Sequence, residues 1–582
     1  MKVALIQPPV EDFYQTSIRT QPVGLLYLAG MLESAGHHVK IFDFLSWREK
    51  HAAPCPDAMS YLKAHFLLRD QSPLRAFKHY YHFGCRWQEV ESILSGADFD
   101  AYGVSCMFTP FFSQSNHVAA IIRRHHPGKP IAAGGTHATA VPHRVLGQGN
   151  FDVVFQGEGE YSFLKWIAST TDRSSLRQGA VCAGQAIQNL DELPFPARHL
   201  IDLDRYRING VRSTMLITSR GCPYRCTFCS VQQTMGHAFR VRSVENVVRE
   251  IEECLERYDI RHFDIEDDNF TFDQARAEEI MTAVLDRFGE ATLRFSAMNG
   301  LTASHLRPSL LKRMKQAGFS QINLSLVTSQ PDKIRELKRP VSFAGFRRTV
   351  RATREAQLEC ISYFILGLPG DDRSRMLETL FALAAEPVLV GPSVFYVSPG
   401  TELFDELAAY VPENWDLLRS STFFMETGAS TRLERITVFR LTRLVNFLKE
   451  RLDRGDWESE LRHTLTLLQN DFSVQAAGQS QINSSTMAGW AVAVLLYTTG
   501  KFHAACRPNR HARTYRFEPL PTCERTVELF WKMAPQAELA GIRTSARVML
   551  SDVMRLLALK KHSSPQRYGE VPTKVDHVNV DV

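Results

Sequence analysis

Residues 215–230 read MLITSRGCPYRCTFCS, and this stretch constrains the chain more than any other. The apolar run 215–218 predicts a buried strand that stops at Gly221. Cys222, Cys226 and Cys229 follow at C-x3-C-x2-C spacing. Three thiolates on one loop leaving a strand can hold three irons of a [4Fe-4S] cubane, which usually takes four cysteines. The fourth iron is then open to a ligand, by the logic that separates catalytic zinc sites from closed ones. Phe228 stands between the second and third cysteine, where its ring can pack beside that ligand. A zinc knuckle would need a second ligand pair downstream, and none follows.

The stretch resembles the signature of the radical S-adenosylmethionine (SAM) superfamily, C-x3-C-x-aromatic-C. In that family the amino and carboxylate groups of SAM chelate the open iron. One electron from the cluster splits SAM into methionine and a 5'-deoxyadenosyl radical.

The 582 residues exceed what one core holds and predict about three to four domains. Composition is that of a soluble protein, 44% hydrophobic and 23% charged. A net charge of +5 over this length gives no reason to expect nucleic acid. The eleven cysteines are scattered singly apart from the triplet, which fits a reducing compartment rather than a disulfide framework. The first residues, MKVALIQPPVED, hold no signal-peptide h-region. A cytoplasmic protein is expected, with a place at the membrane periphery as the alternative.

Ahead of the triplet, strand patterns at 2–6, 38–44, 99–108, 130–133 and 152–155 alternate with helical ones. That alternation predicts an α/β, doubly wound, Rossmann-like domain over 1–170. The stretch 46–97 interrupts it and is expected to be a helical insertion. Ligands on such sheets sit at the carboxyl ends of the strands. The loops there resemble the cobalamin-binding domain that precedes many radical SAM domains. The shared pieces are QPP, P-x-G-L-x-Y-L-A (22–29), GGTHAT and GEGE. The resemblance implies cobalamin contacts from Pro8, Pro9, Gln21, Ser105, Thr109, Gly134, Gly135, Thr136, His137, Gly157 and Glu158. The D-x-H-x-x-G motif is absent. This implies base-off cobalamin without a histidine on cobalt, and His137 is expected to touch the corrin edge or the chain instead.

A linker over 171–206, containing the proline-punctuated NLDELPFP, resembles the family's L-P-x-P connector. Over 207–407 six strand patterns alternate with helices, counting the cluster strand. This predicts a partial (β/α)6 TIM-type barrel with its chemistry at the strand carboxyl ends. By resemblance, Asp267, Asp268 and Asn269 face the SAM ammonium and Arg339 its carboxylate. Asn299 and Ser325 are candidates for ribose or carboxylate contacts, and Ile365 marks the adenine-side segment. The family's G-I-E-S-G after the fourth strand is replaced here by Ser325-Leu326-Val327-Thr328-Ser329, so the usual glutamate is Val327.

Residues 408–561 are expected to form a mostly α-helical cap, with helices at 431–454, 457–469, 487–498 and 526–561, and 562–582 a disordered tail. The run MAGWAVAVLLYTTG is too short to span a bilayer, which takes about 20 residues. It reads as a buried core helix, with a lid or membrane-facing surface as the alternative.

The resemblance implies a cobalamin-dependent radical SAM enzyme. One SAM would recharge cobalamin with a methyl group and a second would become the radical that opens an unactivated carbon to methylation. Ring formation, rearrangement or oxidation on the same cofactors, or a cobalamin-binding regulatory role, are the alternatives. The partners implied are a small-molecule or lipid-like substrate and an electron donor such as flavodoxin or ferredoxin.

Overall fold

In the computed structural model, which describes residues 1–14, 21–46, 50–169, 179–304, 306–455, 457–469, 484–506, 514–534 and 578–581, strand β1 (Lys2–Gln7) buries Val3, Ala4, Leu5 and Ile6 completely. A strand apolar on both faces belongs inside a parallel sheet covered by helices. Its neighbours are β2 (His38–Asp43) and β3 (Ala101–Ser105), and β4 (Ile131–Gly134), β5 (Val153–Gln156) and β6 (Ala180–Ala183) follow outward from β3. Every pair is parallel. Helices α1 (Val23–Ser34) and α5 (Glu160–Ser169) pack on the Val3–Leu5 face. Helices α2 (Trp87–Ser95) and α3 (Phe112–His125) pack on the Ala4–Ile6 face. The short α4 (Thr136–Ala140) follows β4 directly. The strand order reverses between β1 and β3, which makes that crevice the ligand site of such a sheet.

Two expectations are corrected here. The 46–97 insertion is not simply helical. Its strands Lys50–Ala53 and Tyr80–Phe83 join Val10–Asp12 in a three-stranded antiparallel sheet, with a 3-10 helix at Asp57–Ala64 and α2 at its end. The rings of Phe13, Phe66, Phe77 and Tyr80 stack edge to face around it, and aromatic residues favour extended backbone over helix. The expected linker also begins inside the first sheet, because β6 is its edge strand.

The barrel strands are β7 (Val211–Leu216), β8 (His262–Ile265), β9 (Arg294–Ser296), β10 (Gln321–Val327), β11 (Glu359–Leu366) and β12 (Leu389–Val394). Pairing is parallel within β7–β9 and within β10–β12. A bridge from Phe295 to Phe319 joins the two halves. The intervening helices are α6 (Val231–Thr234), α7 (Val244–Tyr258), α8 (Gln274–Phe288), α9 (Pro308–Ala317), α10 (Phe343–Glu355) and α11 (Arg373–Ala384). Ser243, Asp273, Ser342 and Asp372 each accept the backbone N–H three residues on, which fixes where α7, α8, α10 and α11 start.

Helix α12 (Arg432–Arg454) opens on a Thr431/Glu434 capping box and closes the barrel's outer edge. Asn446 accepts from Val390 N at 3.0 Å and donates to Val390 O at 2.8 Å. Lys449 Nζ reaches the carbonyls of Ala384, Glu386 and Val388 at the end of α11. Helices α13 (Trp457–Gln469), α14 (Ser484–Thr499) and α15 (Glu524–Met533) follow. An antiparallel sheet of β13 (His503–Cys506), β14 (Thr514–Pro519) and β15 (Val578–Asp581) completes the region. Residues 578–581, expected in a disordered tail, are therefore a strand on β14. The tail's residues 562–577 and the expected helix beyond 534 lie outside the described residues. In α14, Met487, Trp490, Val492 and Leu496 are buried, with Trp490 edge-on to Phe447, so it is a core helix rather than a membrane-facing one. Among the described residues no helix is long and apolar enough to cross a membrane.

Candidate functional site

The cysteine loop leaves β7 through Ser219–Arg220, which pairs antiparallel with Arg240–Val241, and ends at α6. Gly221 makes the turn at φ +86, where an added Cβ would lie 2.2 Å from the Ala238 carbonyl, so only glycine fits. Its N–H donates to Asp268 Oδ2 at 2.8 Å. Asn269 Nδ2 lies 3.6 Å from Cys222 Sγ, and Arg339 Nη1 lies 3.7 Å from Cys226 Sγ. N–H groups aimed at sulfur stabilise thiolate and tune an iron-sulfur cluster. Burial raises the Cys222 thiol and pushes Cys229 up to about 11, with the neighbouring cysteines adding to the shift at Cys229. Among the described residues these sulfurs are not drawn into a closed ligand group. A metal that binds them displaces their protons. The donor set fits the cluster expected from the sequence: three thiols on one loop, with N–H groups already beside two of them.

The SAM candidates divide. Asp268 lies on the cavity described below, and burial raises its carboxyl to about 6. Asn299 lies there too and donates to Glu266 Oε2 at 2.6 Å. Arg339 Nη2 donates to Ser325 O and Oγ at 2.7 and 3.0 Å, while its buried Nε has no hydrogen-bond partner. Ile365 and Phe228 pack with Val327, Leu368 and Phe395 in one apolar cluster. Val327, where the family has glutamate, adopts φ +74 beside a register break in β10, a conformation costly for a β-branched residue. Asp267 is a correction. It is buried, and its oxygens accept from Thr218 N, Thr218 Oγ1 and Ser219 Oγ, each at 2.6 Å. Three donors from its own fold hold this carboxylate away from the cavity.

That cavity, of about 460 Å3, lies between the first sheet and the barrel. Pro8, Pro9, Gln21, Ser105, Gly134, Gly135, Thr136, Gly157 and Glu158 line one side. Met215, Ile217, Arg220, Glu266, Asp268 and Asn299 line the other. Gly24 and Gly134 line it too, and a Cβ on either would meet no protein atom within 4 Å. The space those glycines leave has room for a ligand, and among the described residues the buried Gln21 Nε2 has no partner to compete with one, while Oε1 accepts from Thr214 Oγ1 and Met215 N. These features fit a flat, amide-bearing group such as a corrin.

Thr109 is a correction as well, and His137 meets the chain rather than the corrin edge. Thr109 Oγ1 is 3.0 Å from His137 Nδ1, and neither residue lines the cavity. The imidazole lies between Phe112 and Trp415, where burial lowers its pKa to about 4. Arg220 and Glu266 are the residues that sequence reasoning missed. Arg220 bridges Glu158 at 2.8 Å and Glu160 at 2.7 Å, and Arg240 holds the other Glu158 oxygen at 2.6 Å. The signal was an arginine just before the triplet facing two glutamates in GEGE; only the folded contact pairs them.

A model of the B12 binding domain matches residues 76–165, and a model of the Radical SAM superfamily matches residues 216–383. The chain carries a B12-binding domain followed by a radical SAM domain. It is 27% identical over 456 residues to cytidylyl-2-hydroxyethylphosphonate methyltransferase from Streptomyces wedmorensis, covering 70% of this chain and 81% of that one. Among solved structures, this chain resembles the cobalamin-dependent S-adenosylmethionine radical enzyme OxsB with a TM-score of 0.56 at 13% identity, over 97% of this chain and 80% of that one. The radical S-adenosylmethionine methyltransferase TsrM from Kitasatospora setae, bound to cobalamin and a [4Fe-4S] cluster, superposes with a TM-score of 0.51 at 16% identity, over 70% of this chain and 74% of that one.

Proposed function

We propose that this protein is a cobalamin-dependent radical SAM methyltransferase acting on an unactivated carbon of a small molecule. One observation carries the reading: the loops at the carboxyl ends of β1, β3, β4 and β5 share a single cavity with the residues that flank the cysteine loop. Methyl donor and radical source can then address one substrate atom. The methyltransferase named above, which this chain covers over four-fifths of its length, supports the reading.

Cys222, Cys226 and Cys229 would hold three irons of a [4Fe-4S] cluster. Arg339, Ser325, Asp268, Asn269 and Asn299 would hold SAM, with Phe228 and Ile365 as apolar walls. The first-sheet loops would hold cobalamin. When bound, SAM supplies a 5'-deoxyadenosyl radical and cobalamin a methyl group; the chemistry belongs to the cofactors. The chain's own residues do the rest. Asn269 and Arg339 keep N–H groups beside the sulfurs. Arg339, anchored on Ser325, offers a fixed guanidinium to a carboxylate. The cluster of Val327, Leu368 and Phe395 excludes water from that side. The electron comes from a flavodoxin- or ferredoxin-type donor.

The test is anaerobic reconstitution with iron, sulfide and hydroxocobalamin, followed by reductant and methyl-labelled SAM. Deoxyadenosine release and label on cobalamin are expected together, with deoxyadenosine falling at least about a hundredfold in Cys226→Ala. Persistence of deoxyadenosine in that variant would refute the cluster assignment. Deoxyadenosine without labelled cobalamin would replace methylation by another radical reaction.

A further inference from the structure

A second pocket, of about 510 Å3, opens beside the main cavity and shares Gly157, Glu158, Thr234 and Met235 with it. It lies between the ends of β5 and β6 on the first domain and helix α6 of the barrel. Its character differs from that of the main cavity. Gln156, Gln232, Gln233 and Thr139 line it, together with Thr234. Among the described residues the single charged group on its wall is Glu158, and Arg220 and Arg240 already neutralise that carboxylate from behind. Gln156 is fixed by donating to Thr139 O at 3.0 Å, and Gln232 by donating to Tyr224 O at 2.7 Å. Among the described residues the buried Thr234 Oγ1 has no hydrogen-bond partner.

A pocket of fixed amides and hydroxyls with no available cation suits a group that both donates and accepts hydrogen bonds and carries no charge. A carboxylate or phosphate entering it would lose its hydration and meet no countercharge. We propose that this pocket receives neutral amide arms from the rim of a corrin ring seated in the main cavity. The inference rests on the cobalamin reading above. A corrin carries acetamide and propionamide arms around its edge, and these can donate to and accept from the amides and hydroxyls of the lining. The nucleotide tail of cobalamin, with its anionic phosphate, is excluded by the same chemistry.

The experiment is equilibrium dialysis of the full-length, cluster-reconstituted protein against three corrinoids. These are hydroxocobalamin, cobinamide (which keeps the amides and lacks the tail), and a hydroxocobalamin with one propionamide hydrolysed to carboxylate. The wild type is expected to bind the first two and to bind at least one of the carboxylate isomers about tenfold more weakly, because sites built for a hydrogen-bonding neutral group reject a mismatched one. Thr234→Val with Gln156→Leu is expected to weaken cobalamin and cobinamide alike, by about tenfold, with the melting temperature unchanged. Unchanged affinity in the double variant overturns the proposal. A loss seen with cobalamin and not with cobinamide also overturns it and assigns the pocket to the tail. Should the variant not fold, the comparison of amide and carboxylate isomers on the wild type decides. Failure of the wild type to bind any corrinoid overturns the underlying cobalamin reading instead, so the two failures are distinct.

Discussion

His137 and Asp371 are both buried ionisable groups, and each gives a prediction. His137 is held neutral and engaged with Thr109, away from the cavity. Replacing it by glutamine is expected to leave the absorbance spectrum of bound hydroxocobalamin unchanged; a shifted cobalt band would place the imidazole on the metal. Asp371, 3% exposed in the turn after β11, has its carboxyl raised to about 7 by burial, with Lys333 and Arg375 only partly offsetting this. Its folded pKa lies above the unfolded value of about 3.9. The protonated form is therefore the one the fold favours. Stability from this group is full below about pH 4 and is lost as pH rises through about 7. Asp371→Asn keeps the shape without the charge. The melting temperature is expected to fall less in the variant than in the wild type between about pH 5 and pH 8, and parallel slopes would refute the assignment.

At the scale of elements, the exposed side of β12 is where the barrel would otherwise end in unpaired backbone, and a side chain from α12 covers it. Asn446→Leu would strand the N–H and C=O of the buried Val390. The expected cost is about 2–4 kcal/mol, read as a lower urea midpoint. Asn446→Gln, too long for the same double bond, should recover little. This contact also shows where sequence reading stops. Strand β1 was legible because Val3–Ile6 is an unbroken apolar run, and the end of β7 because Met215 and Leu216 open another. The cysteine triplet was legible because its chemistry is local. The insertion was misread, because its strand Tyr80–Phe83 pairs with Val10–Asp12, about 70 residues away, and with Lys50–Ala53. Asp267 was misplaced for a similar reason: its three donors come from Thr218 and Ser219, 49 and 48 residues earlier. Two adjacent aspartates look alike in sequence, and only the fold decides which one faces the cavity.

Across the whole molecule, Arg220 is the pin between the two cofactor domains. It is buried, and it holds Glu158 and Glu160 of the first domain from the barrel's cysteine loop. Arg220→Ala would leave the buried Glu160 without this cation and Glu158 with Arg240 alone, at a cost of about 3–5 kcal/mol. A lower melting temperature and weaker hydroxocobalamin binding are expected together; loss of one without the other would separate the clamp from the cavity. Arg220→Lys, with a single ammonium in place of a fork, should restore one contact and part of the stability.

The same long reach sets an order of events during synthesis. The loop after β1 is among the first segments to leave the ribosome, yet Asp12 meets Arg419 only 407 residues later. At about 5–20 residues per second that interval is roughly 20–80 s. Gln21 waits for Thr214 and Met215, 193 and 194 residues on. The cavity therefore does not exist on the nascent chain until Asn299, the last of its described lining residues, has been made. Until then the apolar cavity loops are open to wrong partners. A chain truncated before Asn299 is expected to bind to holdase chaperones rather than to cofactor.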